Sequence, residues 1–237
     1  MTKISVVVPC YEYNGRGAEA LEYSFDILRW QSFEDFDVVI SDHSLPENKD
    51  IENLCKKWSN ELEIHYYRNN ENRGNPSANF NYAMANAKGD YIKFLCQDDF
   101  LYENFSLEKT YDKLQQHPEK IWLASEYIHA IDERRNLKHI HRPKMNSQIF
   151  IYNTIGTPSC VTIKNLRHEL PMFDHELSYA FDCDWYFRVS ALFGDPVILN
   201  DITVVNYLWN ESITSEITNT LINKENRYIL KKYGFIN

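Results

Sequence analysis

The chain has 237 residues, which is enough for one large domain. Acids outnumber bases by 34 to 25, a formal net charge of -9, and this excludes a general nucleic-acid binder and a polybasic membrane-surface protein. Hydrophobic residues at 43% and aromatics at 14% can build a sizeable core, which excludes a disordered chain, and with only 7 glycines an architecture of repeated glycine turns is excluded too.

Strand and helix signals alternate through the first half. Ile4 to Pro9 is an unbroken β-branched run, as in a strand buried on both faces. Ala18, Leu21, Phe25 and Leu28 recur at helical spacing, and FDVVIS at 36–41 reads as a second buried strand. Ile51, Leu54, Cys55 and Trp58 form an amphipathic stripe, followed by a strand at 63–68 (EIHYYR). Ser77 is placed to cap a helix that Gly89 would end, and Tyr91 to Leu95 is the next strand. This alternation predicts parallel strands joined by crossover helices.

The second half is less regular. Leu107, Tyr111 and Leu114 predict a helix, and Ile121 to Ala124 a strand. Residues 133–148 read as a polar loop carrying the one basic cluster of the chain, with Arg134, Arg135, Lys138, His139, His141, Arg142 and Lys144. Asp182 to Phe193 reads as a helix stopped by Gly194. Short strands are expected at Val197 to Leu199 and Thr203 to Leu208, and a terminal helix at Thr220 to Tyr233. With no repeat, linker or low-complexity stretch, the expectation is a single domain over 1–237.

The five cysteines are odd in number and lack any CxxC pair, which argues against a disulfide framework or a structural zinc site built on them. The first apolar run is too short for a signal-peptide core, and no stretch approaches the ~18 apolar residues that span a bilayer. A cytoplasmic protein is expected, with peripheral association at the inner face of a membrane allowed.

Gly15, Gly17 and Ala20 satisfy G-x-G-x-x-A after a strand, and Asp42 lies where a dinucleotide fold places its ribose-binding acid. Five residues, Cys10 to Asn14, separate the strand from the first glycine, so the helix would start too far from the strand end to take a pyrophosphate. A different constellation carries chemistry. Asp42, the pair Asp98 and Asp99, and the pair Asp182 and Asp184 fall at strand ends or near a helix start, where open α/β sheets bind ligands. Adjacent acids repel in a confined cleft, and a divalent cation with oxygen preference, Mn²⁺ or Mg²⁺, relieves this. A turn or helix-cap role is the alternative for each of these acids.

Four segments occur in order: SVVVPCYEYN at 5–14, DVVISDHS at 37–44, NRGNPSANFNYAMANAKGDYIKFLCQDD at 72–99, and FDCDWYFR at 181–188. On them the chain resembles the family 2 glycosyltransferases, from Ile4 to about Leu208. The resemblance implies an α/β, GT-A fold: a Rossmann-like, mostly parallel central sheet flanked by helices. Residues 1–100 would form the nucleotide-binding half, and the less regular 101–237 the acceptor-binding half. It also implies an inverting transferase that moves a sugar from a nucleotide-diphospho-sugar to a saccharide or lipid-linked saccharide acceptor in surface polysaccharide or glycolipid synthesis. By the same resemblance Pro9, Tyr11, Glu12, Asp42, Arg73, Gln97 and Asp98 face the nucleotide-sugar, Asp98 and Asp99 the metal, and Asp182 or Asp184 supplies the base. Asn79 matches a structural position.

Three departures stand out. Cys96 replaces a frequent Asp, Phe181 replaces the Glu before the base, and Trp209 stands near a frequent late His, whose duty is either lost or supplied elsewhere, as by His139 or His141. Trp185, Tyr186 and Trp209 are candidates for the acceptor wall. The Gln-x-x-Arg-Trp signature of processive synthases is absent, which favours single addition. A silent nucleotide-sugar binding module and a sugar-phosphate nucleotidyltransferase are the competing expectations.

Overall fold

A computed structural model of the chain describes residues 2–13, 15–150, 152–208 and 217–236. Its first four long strands are β1 (Ile4–Cys10), β2 (Phe36–Asp42), β3 (Ile64–Arg68) and β4 (Tyr91–Phe94), joined by helices α1 (Gly17–Leu28), α2 (Asp50–Trp58) and α3 (Pro76–Asn86). They pair in parallel in the order β3-β2-β1-β4. β1 and β2 are covered on both faces, which is why they read as plain apolar runs. α3 packs on β1 and β2, and α1 on α2.

The same sheet continues into the second half. It takes up β5 (Phe100–Leu101), β6 (Trp122–Ile131), β8 (Val161–Lys164) and β9 (Val197–Leu208), in the overall order β3-β2-β1-β4-β8-β6-β9-β5. β8 is antiparallel to both β4 and β6, so the sheet changes direction at the β4–β8 seam. Helices α4 (Ser106–Gln116), α5 (Phe181–Phe193) and α6 (Asn219–Lys232) also belong to this half.

Some expectations change. The polar stretch 133–148 contains a strand, β7 (Leu137–His141), which hairpins onto β6. Its residues are almost all exposed, so it carries no apolar alternation to betray it. The two short strands near the end are one strand, β9, whose register against β6 shifts at Ser125/Glu126 and Glu126/Tyr127. Asn75, not Ser77, caps α3: Ala78 N donates to Asn75 Oδ1 at 2.9 Å, with Pro76 in the first turn. Ser77 instead donates to the Leu177 carbonyl at 2.8 Å.

The core beneath the β4–β8 seam is aromatic. Trp185 is fully buried, stacks on Phe173 at 4.8 Å and meets the edge of Phe94 at 5.4 Å, and Trp122 stacks on Tyr186 at 6.0 Å. Trp185 and Tyr186 are therefore core side chains and not an acceptor wall. Trp209 lies outside the described residues. Truncating a buried Trp to Ala costs about 3–5 kcal/mol, so this packing fixes α5 and what lies at its N-terminus.

Candidate active site

The strand ends of β1, β2 and β4 gather the first set of predicted residues. Asn79 ties two of them together, accepting from Ser41 Oγ at 2.5 Å and donating to the Cys10 carbonyl at 3.0 Å. Pro9 pairs with Ser41 one step earlier. Gln97 clamps the loop after β1, accepting from Tyr11 N at 2.8 Å and donating to the Gly17 carbonyl at 2.7 Å. The half-buried Tyr11 ring lies 6.2 Å from that of Tyr13.

Glu12 has a different position from the one expected of a nucleobase contact. Its carboxylate accepts from Gly17 N at 3.0 Å and Ala18 N at 2.9 Å, capping the first turn of α1. The helix N-terminus that would hold a pyrophosphate in a dinucleotide enzyme is thus occupied by the chain itself. Gly17 is required there because a Cβ would fall 2.5 Å from the Tyr11 carbonyl oxygen. The glycine pattern therefore reports this tight loop and not a cofactor.

Asp42 is fully buried and also committed. It accepts from Tyr66 Oη at 2.8 Å and Ser44 N at 2.8 Å, and pairs with Arg68 at 3.2 Å. Burial and this carboxylate together push the Tyr66 phenol up. Arg73 lies half-buried nearby in sequence; it donates to Asn70 Oδ1 at 3.0 Å, and its buried Nε has no hydrogen-bond partner.

Past β4 the chain reaches Cys96, Gln97, Asp98 and Asp99. Asp98 is half-buried. Asp99 is 1% exposed, and both its oxygens are taken. Ser159 Oγ (2.5 Å) and Thr157 Oγ1 (3.0 Å) donate to Oδ2, and Asn206 Nδ2 (2.8 Å) and Tyr207 N (3.1 Å) to Oδ1. The expectation that Asp99 faces a metal meets a carboxylate that instead joins β4, the 158–160 turn and β9. Burial pushes it up against the pull of those donors. Burial also raises the Cys96 thiol well above its ordinary value and keeps it neutral, so it is a poor ligand for a hard cation. Lys93 lies fully buried beneath, bonded to the Ser159 carbonyl and lowered to about 8 by burial.

The donor set still fits a divalent ion in one form. Mg²⁺ and Mn²⁺ sites use one or two carboxylates and complete their shell with substrate phosphate and water. Asp98 would supply one such carboxylate.

Two residues apart on one helix turn, Asp182 and Asp184 point in different directions. Asp182 opens α5 and is 8% exposed. It accepts from Asn153 Nδ2 at 2.7 Å and from Cys183 N at 2.7 Å. Burial dominates over these bonds and raises the carboxyl to about 6. Asp184 is 0% exposed and accepts from Arg188 Nε (2.8 Å), Lys232 Nζ (2.7 Å) and Tyr233 Oη (2.6 Å). With three partners, two of them cationic, it joins α6 to α5.

Several contributors gave no sequence signal. Asn153 also donates to the Gly156 carbonyl at 3.1 Å, so loop 153–159 touches Asp182 at one end and Asp99 at the other. Glu225 of α6 accepts from Ser178 N, Tyr179 N and Ala180 N at 2.8, 2.9 and 2.9 Å, fixing the approach to α5. Phe181, in place of the expected Glu, packs on Phe80 and Phe173 at 5.4 and 5.6 Å. His139 is exposed in the hairpin, and His141 stacks on Tyr127 at 4.8 Å. From the basic stretch, Arg134 lies over Tyr23 at 4.5 Å and pairs with Glu19 at 3.4 Å.

A sequence profile of Glycosyl transferase family 2 matches residues 5–192. The chain belongs to this family. Among curated proteins it is 25% identical over 208 residues to an uncharacterized glycosyltransferase of Rickettsia felis, covering 83% of this chain and 33% of that protein. It is 30% identical over 103 residues to the GalNAc(5)-diNAcBac-PP-undecaprenol beta-1,3-glucosyltransferase of Campylobacter jejuni, covering 43% of this chain and 31% of that enzyme. Among solved structures it resembles S. aureus TarS 1-349 in complex with UDP-GlcNAc, with a TM-score of 0.70, 19% identity, and coverage of 92% of this chain and 62% of that one. It also resembles the mannosyltransferase PcManGT of Pyrobaculum calidifontis in complex with GDP-Man and Mn²⁺, with a TM-score of 0.65, 16% identity, and coverage of 90% and 59%. These likenesses show the GT-A fold for this family member. The chain spans 33% of the length of the first curated relatives it matches. Among the described residues no helix is long and apolar enough to cross a membrane.

Proposed function

We propose that the chain is an inverting glycosyltransferase that moves a sugar from a nucleotide-diphospho-sugar to an acceptor hydroxyl, with Asp182 as the base. The observation that carries the reading is loop 153–159, which touches both the raised carboxyl of Asp182 and the carboxylate of Asp99 at the end of β4. A base that titrates near 6 is ionised at neutral pH yet still takes up a proton readily. Asp182 accepts the proton of the acceptor hydroxyl. The acceptor oxygen, giving up that proton, forms the new bond to the anomeric carbon from the face opposite the departing diphosphate, whose own bond to that carbon breaks. Asp184 is not part of this proposal, because its partners consume it.

For the donor, Tyr11 offers an aromatic face to the base. The unpartnered Nε of Arg73 offers a donor to a nucleotide oxygen. Pro9, Gln97, Glu12 and Asp42 shape the floor through the backbone bonds above. Asp98, with the donor's diphosphate, would hold Mn²⁺ or Mg²⁺, which supplies Lewis-acid stabilisation of the leaving group. The nucleotide-sugars in the TarS and PcManGT complexes and the Mn²⁺ in the latter support this choice. A saccharide or lipid-linked acceptor, in surface polysaccharide or glycolipid synthesis, is supported by the name of the Campylobacter jejuni relative. A nucleotidyltransferase is disfavoured because Glu12 fills the first helix N-terminus that a triphosphate loop would need.

The test is nucleotide release from a panel of UDP- and GDP-sugars with Mn²⁺, followed by NMR of the product's anomeric configuration. Asp182→Asn should abolish turnover and leave UDP or GDP binding intact. Retained turnover in that variant, or a retained anomeric configuration, would overturn the reading.

A further inference from the structure

Asp37, Glu63 and His65 meet at the opposite end of the parallel sheet from the acids of the candidate active site. Asp37 is the second residue of β2 and Asp42 its last, so the two ends lie roughly 17 Å apart along the strand. In the β2–β3 register Val38 pairs with Ile64 and Val39 with His65, which places Glu63 beside Asp37 and His65 diagonal to it on the same face. Two carboxylates facing each other across strands repel. Among the described residues neither is paired with a lysine or arginine.

The distances distinguish a hydrogen bond from a coordination site. His65 Nε2 lies 3.4 Å from Asp37 Oδ2 and 3.4 Å from Glu63 Oε1. The ring nitrogen carries one proton at most and cannot donate along both directions, and 3.4 Å is long for either bond. Around a tetrahedral cation with bonds of about 2.1 Å, ligand atoms lie about 3.4 Å apart. One ligand atom from each of the three residues falls within 4.8 Å of the others. Asp37 is only 2% exposed; the Ser5 hydroxyl donates to its carboxylate, but its Oδ1 has no hydrogen-bond partner, a buried oxygen left without a donor. Glu63 and His65 are open to solvent at 61% and 32%, leaving room for a water as fourth ligand.

We propose that Asp37, Glu63 and His65 form a second metal site, for Zn²⁺, separate from the catalytic cation. One imidazole and two carboxylates suit Zn²⁺ among the abundant divalent ions, whereas Mg²⁺ avoids nitrogen ligands. The ion neutralises the facing carboxylates and clips the edge strand β3 to β2. The inference does not depend on the transferase reading.

The test uses the full chain stripped of metal, titrated with Zn²⁺ and, for its visible spectrum, with Co²⁺. One Zn²⁺ per chain is expected, together with a tetrahedral Co²⁺ band. At about 100-fold over the dissociation constant, Zn²⁺ should raise Tm by roughly 5–10 °C. His65→Ala and Asp37→Asn should each weaken Zn²⁺ by at least about a hundredfold and remove the Co²⁺ band. Asp98→Asn should leave both unchanged. Should Asp37→Asn fail to fold, His65→Ala on the half-exposed edge strand decides alone. A wild-type chain that takes up no Zn²⁺ at about 100 µM, or a His65→Ala chain that binds as tightly as wild type, overturns the proposal.

Discussion

Asn153 donates to Asp182 Oδ2 at 2.7 Å and, from the same amide nitrogen, to the Gly156 carbonyl at 3.1 Å. Gly156 can hold that carbonyl only as glycine: its φ is +113°, and a Cβ would fall 2.3 Å from the Tyr127 ring. The proposed base is thus oriented by a loop whose backbone is fixed by sterics.

A bond to the ionised carboxylate lowers its pKa, so removing it raises the group further. Asn153→Ala should move the acid limb of the kcat profile from about 6 upward by roughly one unit, with a fall in kcat at pH 6.5 larger than at pH 8. The measurement is nucleotide release across pH 5 to 9. An unmoved limb would show that Asn153 does not act through Asp182.

Because burial raises Asp182 to about 6 from 3.8, the group favours its protonated form in the folded chain. The unfolded chain gives up this proton first as pH rises, so stability from Asp182 is full below pH 4 and is lost between pH 4 and 6. The ionised group then costs at most about 3 kcal/mol. Asp182→Asn removes that cost and loses about 1 kcal/mol of hydrogen bonding. The variant should therefore be inactive yet more stable than wild type by about 2 kcal/mol at pH 8, and not at pH 4. Thermal unfolding at both pH values checks this, and an equal difference at the two would contradict the shift.

The parallel half was legible because β1 and β2 are covered on both faces and show it as apolar runs, and because α2 carries a clear stripe. β5 has two residues and β8 four, too few for any period, and β7 has no buried face. At the site, the position of Asp182 at a helix start was legible, but its Asn153 partner, 29 residues away, was not. The role of Asp99 was not, because its four donors come from residues 58 to 108 positions away. The capping bonds of Glu12 were hidden for a nearer reason. An acid shortly before a helix serves the first-turn amides as readily as a ligand, and only the fold showed which.

Asp184 offers the sharpest contrast with Asp182. Removing it leaves Lys232 and Arg188 without the carboxylate between them and leaves the Tyr233 hydroxyl without an acceptor. Asp184→Ala should destabilise the chain by roughly 3 kcal/mol, within the range for breaking a buried pair by removing one partner. The protein that remains folded at low temperature should keep the wild-type acid limb near pH 6. Unfolding midpoints and the pH profile together test this. Loss of activity with unchanged stability would instead make Asp184 the base.

Asp98 and Asp99 separate by the kind of substitution each tolerates. Asp98→Asn should abolish the Mn²⁺ dependence of UDP or GDP binding. At Asp99, Asn keeps an oxygen for Asn206 Nδ2 and Tyr207 N, and its amide can donate to Ser159 and Thr157, whose hydroxyls turn to accept. Asp99→Ala leaves all four donors without an acceptor and should cost roughly 3 kcal/mol or more. So Asp99→Asn should retain both the fold and the metal dependence that Asp98→Asn loses. Calorimetric titration of nucleotide with and without Mn²⁺ decides the matter. Loss of metal dependence in Asp99→Asn at unchanged stability would return Asp99 to the metal.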